Sequence, residues 1–210
     1  MRPGFRLYLI TDSGLVPDLA QAVEKALSAA GAKAPLIAVQ LREKEMPVRM
    51  LLDTARRLRD ITGRYGAKLL INDRVDVAMI TGADGVHLGV NSMPASAARR
   101  VCGEKLMIGV STHSMEEAEA AQAMVADFIT YGPVFATPSK LRYGNPVGVD
   151  SLSQVSKTLD IPVYAIGGID GSNIQEVMRR GACGIALIRA VFGARNIKES
   201  VKTIMERFQE

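Results

Sequence analysis

The sequence predicts a (β/α)8 TIM barrel, an α/β fold. Three observations carry this: short apolar runs alternate with longer amphipathic segments, the alternation repeats eight times, and no G-x-G-x-x-G turn opens the chain. The runs are almost continuously apolar, as parallel strands covered on both faces must be. An open, doubly wound sheet is the rival architecture, but the regular eightfold count and the missing dinucleotide fingerprint favour closure. One barrel domain over residues 1–210 is expected.

In chain order the strand runs are FRLYLI, LIAVQL, AKLLIN, DGVHLG, LMIGVS, DFITYG, VYAIGG and GIALIR. Helical segments are expected to begin near Pro17, Met46, Arg74, Pro94, Ser114, Val149, Gly171 and Asn196. The second helix shows the logic. Leu51 or Leu52, Ala55, Leu58 and Ile61 share one side, while Arg56, Arg57 and Asp60 fall away from it. One connection, PVFATPSKLRYGNPVG, exceeds the ~12 residues that compact domains usually spend on a loop. It follows the sixth strand, on the barrel face where active sites are built.

With 48% hydrophobic residues the chain can bury one sizeable core. Its apolar segments fall short of the ~18 residues of a membrane span, and MRPGFRLYLITD turns polar too early for a secretory signal. A cytoplasmic protein with no membrane partner is expected. Cys102 and Cys183 are far apart and lack metal-ligand spacing, so both read as reduced thiols. The net charge of +4 does not require nucleic acid, because basic residues are interleaved with acidic ones in stretches such as LLDTARRLRD. A basic pocket for small anions accounts for the same balance. Homo-oligomerisation stays open.

On a barrel, polar residues at strand carboxyl ends converge on one mouth. These are Gln40, Arg42 and Lys44 after strand 2, Asn72 and Asp73 after strand 3, Asn91 and Ser92 after strand 4, and Ser111 and His113 after strand 5. Thr137, Ser139 and Lys140 follow in the long loop, then Gly167 and Gly168 after strand 7, with Ile188 and Arg189 ending strand 8. Spaced by two, Gln40, Arg42 and Lys44 would share one side of an extended strand end, unless they are simply a solvated terminus. With Lys140 and Arg142 they would surround a diphosphate with cations. The glycines of IGGID offer a second anion site, backbone N–H groups that a phosphate can approach closely, or else a tight turn alone. Asp73 reads either as a Mg²⁺ ligand or, like Asn72, as the N-cap of the next helix. His87 and His113 with Asp73 raise a metal-hydrolase alternative on thin spacing evidence.

The runs QLREK, INDRVDVA, GADGVHLG, IGVSTHS, YGPVFATPSK and IPVYAIGGI, in order and in register, resemble the signature segments of thiamine-phosphate synthase (thiamine-phosphate pyrophosphorylase). The superfamily includes the TenI-type thiazole tautomerases. The resemblance implies a pyrophosphate-releasing transferase of thiamine biosynthesis that joins hydroxymethylpyrimidine diphosphate to thiazole phosphate, with Mg²⁺ as cofactor. It implies substrate-binding roles for Gln40, Arg42, Lys44, Asn72, Ser111, Thr137, Ser139, Lys140, Gly167, Gly168, Ile188 and Arg189. Arg42, Lys44 and Lys140 would be catalytic, and Asp73 the metal ligand. Two positions depart from the family pattern. Ser92 stands where a second metal carboxylate is expected, and Arg189 where a small hydroxyl residue usually meets the thiazole phosphate. The tautomerase branch places a histidine where this chain has Pro133, so that activity is the lesser alternative, beside a non-catalytic paralogue that binds phosphate ligands.

Overall fold

A computed structural model describes residues 3–137 and 145–208. Its strands are β1 (Leu7–Ile10), β2 (Ile37–Leu41), β3 (Lys68–Asn72), β4 (Gly85–Leu88), β5 (Met107–Thr112), β6 (Phe128–Tyr131), β7 (Val163–Ile166) and β8 (Gly184–Leu187). They pair in parallel and in chain order, and β8 returns to β1 at Leu7↔Ile185 to close the barrel. Each expected apolar run contains its strand except LMIGVS, which β5 outruns by one residue to Thr112. The described helices are α1 (Leu19–Ala30), α2 (Val48–Arg64), α3 (Val75–Thr81), α4 (Ala95–Cys102), α5 (Met115–Ala123), α6 (Gly148–Thr158), α7 (Ile174–Arg179), α8 (Arg189–Phe192) and α9 (Ile197–Arg207).

Strand alternation divides the core in two. Leu7, Leu9, Val39, Leu69 and Ile71 point outward against the helices, together with Leu51, Ala55 and Leu58 of α2. Tyr8, Ile10, Ala38, Leu70, Phe128, Tyr164 and Ala186 point inward and pack with Phe5. The aromatic rings fill the barrel's lower half in tilted and edge-to-face pairs, with Phe5 and Phe128 5.5 Å apart at 89°. Glycine makes the room for them. A Cβ on Gly109 of β5 would lie 2.3 Å from Phe128 Cζ and 2.6 Å from His87 Nδ1.

At the amino ends of the strands one device recurs. Asp84, just before β4, accepts from Leu69 N at 2.9 Å, from Lys68 Nζ at 2.9 Å and from Arg59 Nη1 at 2.6 Å. Asp127, just before β6, accepts from Ile108 N at 2.7 Å and from Arg99 Nη2 at 2.6 Å. Each carboxylate ties a helix arginine to the neighbouring strand and fixes register. Burial alone would raise the Asp84 carboxyl, but its three donors hold it below the usual aspartate range.

Three expectations need correction. GIALIR is strand only through Leu187, and Arg189 begins the short helix α8, which comes before the expected Asn196 helix. Four residues are too few for a period to be read from sequence. The run Gln40, Arg42, Lys44 does not stay extended, because β2 ends at Leu41 and Lys44 sits in an exposed turn. Neither Asn72 nor Asp73 caps α3, whose N-cap residue is Arg74, with no side-chain cap bond.

Candidate active site

The site grows from the carboxyl ends of β2, β3 and β4. Gln40 is the penultimate residue of β2 and faces inward, 1% exposed. Its Nε2 donates to Asn72 Oδ1 at 2.9 Å, and Asn72 Nδ2 donates to Asp73 Oδ2 at 2.6 Å. Gln40 Oε1 is buried and has no hydrogen-bond partner among the described residues. Asp73 adopts a left-handed φ of 61°, which aspartate tolerates better than most residues, and its N–H donates to His87 O at 2.9 Å. Freed from capping, its carboxylate also accepts from the Ser92 hydroxyl, whose oxygen in turn accepts from Gly89 N at 2.7 Å.

Beyond β2 the chain turns so that Glu43 and Arg42 part company. Glu43 accepts from Thr11 Oγ1 at 2.7 Å and from the Ser13 backbone and hydroxyl, while Arg42 N donates to Thr11 Oγ1 at 2.9 Å. This brace spends the acidic member of QLREK on the β1 loop. The Arg42 charge is close enough to help lower the His87 pKa. Thr11 and Glu43 are supporting residues that sequence reading missed; the only available signal was a carboxylate inside an otherwise cationic run.

His87 lies inside the barrel, 2% exposed, with Nε2 2.9 Å from Ser111 Oγ. Burial lowers its pKa to about 3; the Asp73 carboxylate opposes the shift and Arg42 adds to it. The imidazole is therefore neutral at physiological pH. His113 instead donates from Nδ1 to Gly132 O and stands apart from Asp73's partners. Among the described residues no group of three His, Cys, Asp or Glu side chains could hold a metal, so the hydrolase alternative finds no ligand set.

Across the mouth, the start of the long loop is bound to the glycine turn after β7. Val134 N donates to Ile166 O at 2.9 Å and Phe135 N to Gly167 O at 3.0 Å. Gly168 has a φ of 66°, and a Cβ there would lie 2.6 Å from Phe135 Cβ, so only glycine suits this approach. Asn173 Nδ2 donates to Gly168 O at 2.9 Å and secures the turn from the other side. Thr137 is the last described residue at the start of the long loop; Ser139, Lys140 and Arg142 lie outside the described residues. Ile188 packs against the inner aromatic core and precedes α8, while Arg189 is exposed. The structure thus gathers Gln40, Asn72, Asp73, Ser92, His87 and Ser111 into a linked set, with Gly167 and Gly168 in a separate turn.

The donor set is compatible with Mg²⁺ in diphosphate chemistry, which takes one or two protein carboxylates and completes its shell with phosphate oxygens and water. Asp73 would be that carboxylate. Glu43 is committed to Thr11 and Ser13, and Ser92 offers a neutral oxygen.

Fold and mouth together define a (β/α)8-barrel protein whose polar residues gather at the carboxyl ends of its strands. The chain belongs to the thiamine monophosphate synthase family, whose sequence model matches residues 7–191. A Geobacter sulfurreducens relative is 50% identical over 96% of this chain and 93% of its own length. The thiamine-phosphate synthase of Chloroflexus aurantiacus is 42% identical over 95% of this chain and 91% of its own length. Among solved structures, the thiamine phosphate pyrophosphorylase of Pyrococcus furiosus superposes with a TM-score of 0.89 at 35% identity, covering 98% of this chain and 96% of that one. Among the described residues no helix is long and apolar enough to cross a membrane.

Proposed function

We propose that the protein is a thiamine-phosphate synthase that joins hydroxymethylpyrimidine diphosphate to thiazole phosphate. The bond from the pyrimidine methylene carbon to the diphosphate oxygen breaks, and its electron pair leaves with the diphosphate. The thiazole nitrogen then supplies the pair for the new C–N bond, giving thiamine phosphate and pyrophosphate. The reaction asks the protein to steady the leaving group's charge and to align two partners.

The observation that carries this reading is the chain Gln40, Asn72, Asp73 at the ends of β2 and β3. Gln40 Oε1, buried and unpartnered among the described residues, suits an amino group on the pyrimidine. Arg42, Lys44 and Lys140 would neutralise the diphosphate, and Ser111 would bond to the first substrate. Neutral His87 would orient the Ser111 hydroxyl without adding a cation that competes for the diphosphate. Thr137, Ser139, the amides of Gly167 and Gly168, Ile188 and Arg189 would line the thiazole phosphate. When bound, Mg²⁺ would place positive charge on the leaving diphosphate, with Asp73 as its carboxylate ligand. No imidazole stands at Pro133 to act as the acid and base of a thiazole tautomerase.

The test is to mix purified protein with both substrates and Mg²⁺ and to follow pyrophosphate and thiamine phosphate together. Equal release of the two is expected. Folded protein at high concentration giving neither product overturns the reading and leaves a ligand-binding paralogue, which calorimetry would detect.

A further inference from the structure

The Ser92 contact supports a statement about how this chain takes its metal, and it rests on the reading just given. Ser92 is fixed three ways: its N–H donates to Gly89 O at 3.0 Å, its Oγ accepts from Gly89 N at 2.7 Å, and its hydroxyl proton goes to Asp73 Oδ1. Asp73 Oδ2 is meanwhile held by Asn72 Nδ2 at 2.6 Å. Both carboxylate oxygens are thus oriented by protein donors, with no cation needed to hold them in place.

The charge balance points the same way. Glu43, the nearest acidic residue in sequence to the Arg42 cation, is bound to Thr11 and Ser13. Among the described residues Asp73 belongs to no group of three or more acidic, histidine or cysteine side chains that could hold a metal. One carboxylate gives a divalent cation little reason to surrender its tightly held water. A diphosphate brings several negative oxygens and reverses that balance.

We propose that Ser92 is a positioning residue, a hydroxyl clamp that aims Asp73, and that this chain takes a divalent cation only together with a diphosphate anion. Asp73 then adds one aimed oxygen to a metal whose other ligands are diphosphate and water. The clamp keeps the carboxylate ready when no ion is present and leaves the resting site one negative charge poorer than a two-carboxylate site.

Equilibrium dialysis of the full chain against MnCl₂, with and without inorganic pyrophosphate, reads this directly. Wild-type protein should retain no saturable Mn²⁺ alone and should retain it with pyrophosphate. Ser92→Asp should bind Mn²⁺ without pyrophosphate, gaining about tenfold or more in affinity. Ser92→Ala should bind Mn²⁺ with pyrophosphate several-fold more weakly than wild type, and Ser92→Thr should restore it. Wild-type protein that binds Mn²⁺ alone as tightly as Ser92→Asp overturns the proposal, as does Ser92→Ala matching wild type. If Ser92→Asp does not melt cooperatively, the Ala and Thr pair decides. The synthase reaction is scored separately: lost turnover with this dialysis pattern intact condemns the reaction assignment, while intact turnover with free Mn²⁺ binding condemns the clamp.

Discussion

Gln40 Nε2 lies 2.9 Å from Asn72 Oδ1, and through Asn72 the end of β2 sets the carboxylate that follows β3. Two adjacent strands of a parallel barrel are thereby joined by side chains at the point where the chain begins to turn outward. Among the described residues the amide of Gln40 is used on one side only.

Gln40→Met keeps the volume and deletes both functions of the amide. It should lower kcat/KM for the pyrimidine diphosphate by about tenfold to a hundredfold, the equivalent of about 1–3 kcal/mol for a lost buried hydrogen-bond partner. KM for the thiazole phosphate should stay within about twofold. Steady-state kinetics with each substrate varied in turn would check this, and an equal rise in both KM values would count against the assignment.

His87 gives stability a pH dependence of known sign. Its folded pKa is about 3, below the unfolded value of about 6.5, so the unfolded chain binds the proton first. The His87 contribution is complete above about pH 6.5 and is lost as pH falls toward 3, by up to about 1.4 kcal/mol per pH unit. Urea unfolding of wild type and His87→Asn at pH 7.5, 6 and 5 should show a shallower decline in the variant. Parallel declines would mean that the imidazole charges freely in the folded state.

Asp84 should control stability without touching chemistry. Asp84→Asn leaves Arg59 and Lys68 without a counter-charge and should cost about 2 kcal/mol, with kcat near wild type. The folded carboxyl is depressed, so its stabilisation is present above about pH 4 and is lost as pH falls through the folded value. Thermal melts at pH 7 and at about pH 2 should therefore separate wild type from variant less at the lower pH.

Gly168→Ala tests the turn after β7. A methyl at φ 66°, 2.6 Å from Phe135 Cβ and 2.8 Å from Ala136 O, forces the turn and the start of the long loop apart. With about 1–3 kcal/mol of overpacking and backbone strain, KM for thiazole phosphate should rise well above its wild-type value. KM for the pyrimidine diphosphate should hold, and a change confined to that substrate would reverse the assignment of the two ends of the mouth.

By itself the sequence determined the barrel and which polar residues follow its strands. Eight apolar runs separated by amphipathic segments admit few other arrangements, because each strand buried on both faces needs a helix to cover it. It also marked Asp73 and Ser92 as neighbours in role, nineteen residues apart in the chain. Only the tertiary structure decided what those residues do to each other. A left-handed Asp73, a cap left to Arg74, the turning of Glu43 onto Thr11 and the end of β2 at Leu41 are settled by backbone geometry and by contacts between residues distant in sequence. The neutrality of His87 belongs to the same class, since burial among side chains from several strands sets it. Composition and period specify which face a residue takes; the donor that finally meets a carboxylate is fixed only when the barrel closes.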